Sequence, residues 1–429
     1  MFGFANFLLL ALFAAAVFDL IFALARGGGL RGALHGLWNT PHLLFGQQLA
    51  EWRLQLGRIL FAAGLAAYEI SVVFCNSMAR QNWAWVQGVM SPMLEWLAFL
   101  CFGAKILFGT RYTWRELLAG GALYFIARWV YFNSQNIWWI GIVVAVLAAK
   151  DVPLRRPLQV YFASGCAAMA VVLALHFAGI VAPDLTSERM GALRGTYGYG
   201  HPNTFGGLVF GLVLAYALLR AQKVRWVDCL LVFAVGVFLL VGPASRSAAL
   251  CTLALAVGLV FCRLRAGHSV PRWWPGTCAG MVGLTAAVSY LLPLLVIKVG
   301  PWNNDIGPAW LAKLDSLLTC RISLTWMAYR LLDVKIAGQV FNWPTVDNSF
   351  AFALFQFGPV VAALLGILFA AALWGHAKQG RRVEVCCLFA MLAYAYMEVQ
   401  PFHLTTNPTA LLLCGAVFAQ TSARWQKIE

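Results

Sequence analysis

Three arginines, Arg194, Arg246 and Arg321, are the residues of this chain best suited to chemistry. Each lies on the side of a membrane that the distribution of basic residues predicts to be non-cytoplasmic. Short loops on that side are usually poor in Lys and Arg. A guanidinium stays charged and binds phosphate or carboxylate through two parallel N–H groups. The three arginines therefore predict a site that holds an anion at the membrane surface.

The segment after Arg194 is rich in glycine and polar side chains. It reads Gly-Thr-Tyr-Gly-Tyr-Gly-His201-Pro-Asn203, and the last three residues stand where a helix would begin. Proline is tolerated in a first helical turn, and Asn203 or Thr204 is expected to cap the helix. A helix N-terminus that faces a polar loop favours anions. An ordinary glycine-rich turn remains the alternative interpretation.

Arg246 and Arg321 lie in two further polar motifs. Arg246 follows Ser245 at the tip of a short turn between two apolar segments, in the run Ala-Ser-Arg-Ser. Arg321 ends the run Leu-Leu-Thr-Cys-Arg, and Arg330 lies further along the same loop. The alternatives are a snorkelling arginine at a helix end for the first and a solvated helix face for the second.

Acidic residues next to apolar segments are the second group of candidates. Asp347 and Asn348 precede an apolar segment, where a cap is expected. Asp347 is also placed to contact a hydroxyl or accept its proton. Glu398 stands near the end of an apolar segment and Glu69 inside one. Carboxylates within a membrane are costly, and burial in a structural pair is the favoured interpretation for both glutamates.

The elements that must position these residues are predicted to be membrane-spanning helices. The chain has 429 residues, of which 62% are hydrophobic and 11% charged, with a mean hydropathy of +0.76. Soluble domains carry about 25% charged residues. Thirteen apolar segments are long enough to suggest spans; they lie near 5–24, 57–77, 92–108, 116–131, 136–149, 157–177, 203–220, 226–242, 245–263, 277–298, 349–375, 384–400 and 406–421. The sequence predicts an all-α polytopic membrane protein forming one domain over residues 1–429.

Basic clusters between the apolar segments set the predicted orientation. They include Lys105/Arg111/Arg115, Lys150/Arg155/Arg156, Arg220/Lys223/Arg225, Arg263/Arg265/Arg272, Lys378/Arg381/Arg382 and Arg424/Lys427. All fall on one side if the segments alternate, which makes that side cytoplasmic. The net charge of +15 is thereby assigned to topology, and nucleic acid is not expected as a partner. Segment 34–56 is expected to be an interfacial helix.

Two long loops are predicted on the non-cytoplasmic side. The first runs from about Gly179 to Pro202, and the second, the large extracytoplasmic loop, spans residues 299–347. An apolar stripe in the second loop has helical spacing; it comprises Leu311, Leu314, Leu318, Ile322, Trp326 and Tyr329. This loop is therefore predicted to hold an amphipathic helix. The sequence has no phosphate-binding loop, dinucleotide fingerprint or zinc motif, so neither a metal nor another cofactor is expected.

Five motifs, in this order, resemble those of Wzy-type polysaccharide repeat-unit polymerases of capsule, exopolysaccharide and O-antigen synthesis. They are Arg…Gly-Tyr-Gly-His-Pro-Asn, Ala-Ser-Arg-Ser, Leu-Leu-Thr-Cys-Arg, Val-Asp-Asn-Ser-Phe…Phe-Gly and Glu…Asn-Pro. The resemblance covers roughly residues 100–415. It implies a GT-C-like helical fold with about 12–13 transmembrane helices and a large outer loop.

The resemblance implies a membrane glycosyltransferase in a bacterial cytoplasmic membrane that uses undecaprenyl-pyrophosphate-linked glycans at the outer leaflet. The growing glycan would leave its lipid pyrophosphate for a new lipid-linked repeat, with inversion and without metal. By motif position, the implied catalytic residues are Arg194, His201, Arg246, Arg321 and Asp347. The implied substrate-binding residues are Asn203, Ser245, Asn348, Glu398 and Arg330. Membrane lipid, a flippase and a chain-length regulator are the implied partners.

Two other functions stay open at this point. O-antigen-type ligases share the large outer loop and the outer arginines, and would transfer finished polymer to another acceptor. They typically have His before the Asn of the fourth motif, where this chain has Asp347. A flippase or transporter of the same lipid would instead need charges lining a path through the membrane centre, where this sequence has few.

Overall fold

The computed structural model describes residues 2–25, 29–45, 51–181, 187–189, 192–296 and 307–418, which are almost entirely helical. The α-helices in chain order are α1 Phe2–Ala25, α2 Gly29–Asn39, α3 Glu51–Cys75, α4 Ala79–Asn82, α5 Ser91–Phe108, α6 Trp114–Ser134, α7 Ile137–Ala148, α8 Arg155–Phe177, α9 Pro202–Leu219, α10 Trp226–Val241, α11 Arg246–Leu264, α12 Trp274–Leu291, α13 Ala309–Leu317, α14 Arg321–Leu331, α15 Ser349–Phe352, α16 Pro359–Lys378, α17 Arg382–Met397 and α18 Cys414–Val417.

Short π and 3-10 turns extend several of these helices. The π turns are Val86–Met90 and Ala353–Phe357, and the 3-10 turns are Leu292–Leu295, Gln400–Phe402 and Pro408–Leu413. Strand β1 His42–Leu43 pairs antiparallel with β2 Arg111–Tyr112. Strand β3 Ser187–Arg189 pairs antiparallel with β4 Ala192–Arg194.

Eight helices of the described chain are long and apolar enough to cross a membrane. These cover Gly3–Ala25, Glu51–Cys75, Val86–Phe108, Arg155–Phe177, Pro202–Leu219, Arg246–Leu264, Trp274–Leu295 and Pro359–Lys378. Shorter apolar helices lie at Ile137–Ala148, Trp226–Val241 and Pro408–Val417. The predicted all-helical, multi-pass class is thus supported, whereas the predicted number of spans exceeds these eight. The last three residues of predicted segment 406–421, and Arg424 and Lys427, lie outside the described residues.

Large apolar side chains cover much of the outer surface of the bundle. On α1, Phe7 and Phe13 are 63% and 67% exposed, and on α10 Val227 and Leu230 are 69% and 67% exposed. A water-soluble protein rarely presents such continuous apolar faces. Lipid is the solvent that suits these helices, because it costs nothing to leave an apolar side chain against hydrocarbon.

The loop predicted at 299–347 holds two helices, α13 and α14, where one amphipathic helix was expected; its residues 299–306 lie outside the described chain. The break falls at Thr319 and Cys320, which both have φ of 62°. Asp315 accepts from the backbone N–H of Ile322 at 2.7 Å and of Ser323 at 3.2 Å, so α14 starts anew on a side-chain cap.

Most residues of the predicted apolar stripe pack together across this break. Leu311 and Ile322 form a buried cluster with Val296, and the remaining members of the stripe up to Trp326 pack against it. Tyr329 departs from the stripe and packs on Phe355, with ring centroids 5.3 Å apart. The two short helices therefore fold back on the end of α12 instead of projecting away from the bundle.

The prediction of one interfacial helix over residues 34–56 is wrong in its bounds. Helix α2 ends at Asn39, and Pro41 follows. Proline lacks the N–H that a helix needs and clashes with the preceding turn, so the helix cannot continue through it. The chain then pairs His42–Leu43 with β2, and α3 starts at Glu51 after residues 46–50, which lie outside the description.

Candidate functional site

Arg321 and Glu398 form a buried ion pair where the first residue of α14 meets the end of α17. Arg321 Nη2 lies 2.7 Å from Glu398 Oε1, and the two residues are 8% and 5% exposed. The same nitrogen donates to Ser247 Oγ at 3.3 Å, while Nη1 donates to the Leu318 carbonyl at 2.8 Å and Nε to the Met397 carbonyl. All three guanidinium nitrogens are therefore engaged, which fixes the plane of the group.

Arg194 reaches the same carboxylate through Asn203. Arg194 Nη2 donates to Asn203 Oδ1 at 2.9 Å and to the Ala244 carbonyl at 3.2 Å. Asn203 Nδ2 in turn donates to Glu398 Oε1 at 3.1 Å. The four residues Arg194, Asn203, Glu398 and Arg321 form a continuous set, here called the Arg–Glu–Arg network. Tertiary structure thus brings together two arginines that are far apart in sequence.

Arg246 stands at the edge of this network. It is the first residue of α11 and is exposed. Its two neighbours in sequence both touch the network, since Ser245 Oγ donates to Asn203 Oδ1 at 3.5 Å and Ser247 receives the bond from Arg321. The structure therefore places Arg246 beside the other two arginines, with its side chain on the solvent side.

Two glycines let α9 approach this cluster closely. A Cβ at Gly206 would overlap the Ser245 hydroxymethyl group, and a Cβ at Gly207 would overlap the Gln400 amide oxygen. Gln400 Nε2 donates to the Asn203 carbonyl at 3.3 Å, and Tyr394 OH donates to Gln400 Oε1 at 2.7 Å. Only glycine leaves room for these contacts, which hold Asn203 in place.

The charge balance of the Arg–Glu–Arg network is positive. One carboxylate serves two buried guanidinium groups, with Arg246 adding a third cation at the edge. Burial raises the pKa of Glu398, the Arg321 guanidinium opposes that rise, and the nearby Asp347 carboxylate adds to it, so the pKa remains above its ordinary value. An anion that entered would therefore meet an excess of guanidinium charge.

Asn348 and Ser349 bind the segment after the large loop to the end of α17, next to Glu398. Asn348 Oδ1 caps α15 by accepting from Phe350 N–H at 2.9 Å, and its Nδ2 donates to Ser289 Oγ and the Tyr396 carbonyl, both at 3.1 Å. Ser349 Oγ donates to the Glu398 carbonyl at 2.5 Å. The amide of Asn348 thus positions the start of α15, and its predicted contact with substrate stays a prediction. Asp347, directly before it, is half-buried.

His201, and neither Asn203 nor Thr204, caps α9. Its Nδ1 accepts from the Asn203 N–H at 3.0 Å, and its side chain is exposed. The neutral ring therefore carries its proton on Nε2. The expected cap was wrong because the Asn203 side chain bonds within the Arg–Glu–Arg network, and His201, two residues earlier, caps the helix instead.

Arg330 lies apart from the Arg–Glu–Arg network. Its guanidinium sits over the Trp326 ring, 5.4 Å from the ring centroid, and is exposed. Nine residues separate it from Arg321 on one helix, which is about 13 Å along the axis. The structure therefore does not group Arg330 with the other predicted substrate-binding residues.

The predicted pairing of the two glutamates holds for one of them. Glu398 is paired as described above, whereas Glu69 is 1% exposed and its Oε2 has no hydrogen-bond partner within the described chain. The pairing prediction for Glu69 is thus wrong for the described residues.

Sequence reasoning missed several residues that hold the network together. Ser247 accepts a hydrogen bond from Arg321, and Gln400 donates one to the Asn203 carbonyl. Tyr394 in turn donates to Gln400. Gln400 follows Glu398 by two residues, and Ser247 adjoins Arg246, so proximity in sequence was a usable signal for both. Nothing in the local sequence of α17 marks Tyr394, because one buried tyrosine in an apolar helix resembles any other.

An apolar cavity of about 120 Å³ lies next to α15 and α17. Ser349 and Asn407 contribute to its wall, and the remaining lining is almost wholly apolar, including Leu123, Trp139, Phe350, Phe369, Met391 and Phe402. Since Ser349 bonds to the Glu398 backbone, the cavity and the Arg–Glu–Arg network share a wall. The arrangement therefore places an apolar cavity directly beside a positively charged network.

No protein-family model, curated protein or solved structure matches this chain.

Proposed function

We propose that this chain is a membrane glycosyltransferase that polymerises lipid-linked oligosaccharide repeats. The observation that carries the proposal is the meeting of Arg194 and Arg321 on Glu398, with Arg246 at the edge. Their motifs occur in the order found in Wzy-type polymerases. A cluster of buried, oriented guanidinium groups suits a pyrophosphate, which is the leaving group that such a polymerase must stabilise.

The proposed reaction is an inverting glycosyl transfer. The bond between the anomeric carbon of the growing glycan and its polyprenyl pyrophosphate breaks, and the electron pair goes to the pyrophosphate oxygen. A hydroxyl of the new lipid-linked repeat forms the new bond to that carbon, and its proton passes to Asp347, because His201 uses its free ring nitrogen to cap α9. The arginines supply the positive charge for the leaving group, so neither metal nor added energy source takes part.

The surroundings of the Arg–Glu–Arg network support an amphiphilic substrate. The apolar cavity of about 120 Å³ lies beside the network and has room for a short apolar segment, as expected for the part of a polyprenyl chain nearest its pyrophosphate. In this proposal the network lies on the extracytoplasmic face of a bacterial cytoplasmic membrane. A flippase would deliver the repeat, and a chain-length regulator would act beside the polymerase.

The test is reconstitution of purified protein with a lipid-linked repeat. In detergent and with EDTA present, the protein is expected to build a ladder of products. Arg321→Ala is expected to abolish the ladder, whereas Arg330→Ala, on the same helix but away from the network, is expected to keep it. A strict requirement for a divalent metal, or a full ladder from Arg321→Ala, would contradict the proposed mechanism.

A cell lacking the protein separates the proposal from its alternatives. Surface glycan restricted to single repeats supports a polymerase. Long polymer that accumulates on carrier lipid would instead identify an O-antigen-type ligase. Failure to export the repeat, with polymerisation intact, would identify a flippase or transporter.

A further inference from the structure

A second, larger cavity lies at the other ends of the helices that carry the Arg–Glu–Arg network. Helix α9 starts beside the network and ends at this cavity, as does α11, while α17 starts at the cavity and ends at Glu398. The 18 residues of α9 separate the two by about 27 Å. With a volume of about 970 Å³, the cavity is large enough for a phosphate-bearing metabolite or a lipid headgroup.

Seven cations line this cavity, against one carboxylate, Glu384. The cations are Arg155, Arg220, Lys223, Arg225, Arg263, Arg381 and Arg382. They come from the start of α8, the α9–α10 connection, the end of α11 and the α16–α17 connection. Four separate segments thus direct positive charge to one cavity.

Two of the seven cations are bound to protein groups. Arg220 Nε lies 3.2 Å from Asp228 Oδ1, and Arg382 donates from Nη1 to the Arg265 carbonyl at 2.6 Å and from Nη2 to the His268 carbonyl. The others, within the described residues, take part in no ion pair; they are Arg155, Lys223, Arg225, Arg263 and Arg381. Glu384 and Asp228 are too few to balance seven cations, and an excess of like charge in one cavity is unfavourable, so these cations are suited to an anionic ligand.

The cavity also has an apolar lining and a buried polar group. Leucines cover part of its wall, namely Leu154, Leu158, Leu218, Leu219 and Leu412. His376 of α16 lines it as well, is 8% exposed, and has an Nδ1 atom without a hydrogen-bond partner among the described residues. This ring nitrogen is therefore available to a group bound in the cavity.

We propose that this cavity binds a polyanionic phosphate ester, separately from the network at the far end of the same helices. Several guanidinium groups that converge from different segments match two or more phosphate groups, each able to accept paired N–H bonds. The chemistry is shared by an acidic phospholipid headgroup with more than one phosphate and by a soluble polyphosphate. Basic pockets between membrane helices are known to hold such headgroups. This inference does not depend on the proposed polymerase activity.

The test is binding of cardiolipin and of inorganic pyrophosphate to the full chain in detergent, followed by native mass spectrometry. Phosphatidylcholine, whose headgroup has no net charge, serves as the reference lipid. The double variant Arg263→Gln/Arg381→Gln is expected to bind cardiolipin at least tenfold more weakly than the wild type. Arg272→Gln is the matched control, because Arg272 is exposed, basic and outside the cavity lining.

The outcomes separate the two sources of the phosphate. Displacement of cardiolipin by pyrophosphate supports a site that recognises phosphate itself, whereas retention of cardiolipin alone supports a lipid site. Equal binding of cardiolipin and phosphatidylcholine, with no binding of pyrophosphate, would overturn the proposal. So would wild-type affinity in the double variant. Should that variant not fold, Arg155→Gln, at the start of α8, repeats the comparison with a single change.

Discussion

Replacing Arg321 with Lys is the change that most directly challenges the role of its guanidinium group. In the native protein Nη2 bonds to Glu398 and Ser247, Nη1 to the Leu318 carbonyl and Nε to the Met397 carbonyl. Lysine keeps the charge but concentrates its donors on one atom at the end of a flexible stem. It can remain paired with Glu398, yet it cannot reach acceptors spread around a planar fork.

The expected size of the effect follows from the lost bonds. A hydrogen bond to a charged group contributes about 1.5–3 kcal/mol, so losing two of them costs roughly 3 kcal/mol or more. Part of that loss appears in the free energy of unfolding. The rest appears in the barrier, where removing one oriented donor from a developing oxyanion slows reactions by about 10²–10³-fold. We therefore expect a folded but less stable protein whose product ladder forms at least 100-fold more slowly, by the same estimate.

Two measurements on purified protein check this expectation. Denaturant unfolding in detergent gives the stability change, and the rate of ladder formation from a lipid-linked repeat gives the activity change. Arg330→Lys is the matched control, because Arg330 lies on the same helix over Trp326 and is exposed. Wild-type unfolding and wild-type rate in Arg321→Lys would refute the reasoning that the fork geometry matters.

Three further changes test neighbouring features. Gly207→Ala adds a methyl group that overlaps the Gln400 amide; unfolding should show a loss of about 1–3 kcal/mol, while Gly280→Ala, with open space around it, should show none. Asp347→Asn should slow ladder formation about 10²–10⁴-fold with unchanged unfolding if Asp347 takes the acceptor proton, and an unaltered rate would exclude Asp347 as that base. Burial raises the pKa of Asp151, but neighbouring lysine ammonium groups outweigh it and the pKa lies below 3.8; its stabilisation is therefore present above about pH 4 and lost as pH falls through the lower folded pKa. Unfolding of wild type and Asp151→Asn should differ at pH 7 and converge in strong acid, and an equal difference at both pH values would contradict the assignment.

Local sequence was sufficient for the helical segments but not for their ends. Apolar runs of spanning length leave a chain in lipid little choice, because every backbone N–H and C=O must be paired within the segment. The caps depended on side-chain competition instead. Asn203 was expected to cap α9, but its amide bridges Arg194 and Glu398, and His201 caps the helix in its place.

The sequence by itself determined the helical, multi-pass class and the apolar stripe of the large loop, and it singled out the three arginines as candidates. Which arginines share a carboxylate was decided only by the tertiary structure. Arg194 and Arg321 are brought together by the packing of α9 against α11 and α17, where Gly206 and Gly207 permit close approach. Arg330 has the same charge, in the same loop, and lies elsewhere. Charge is a property of a residue, whereas convergence depends on how helices distant in sequence fit against one another, and no local pattern records that fit.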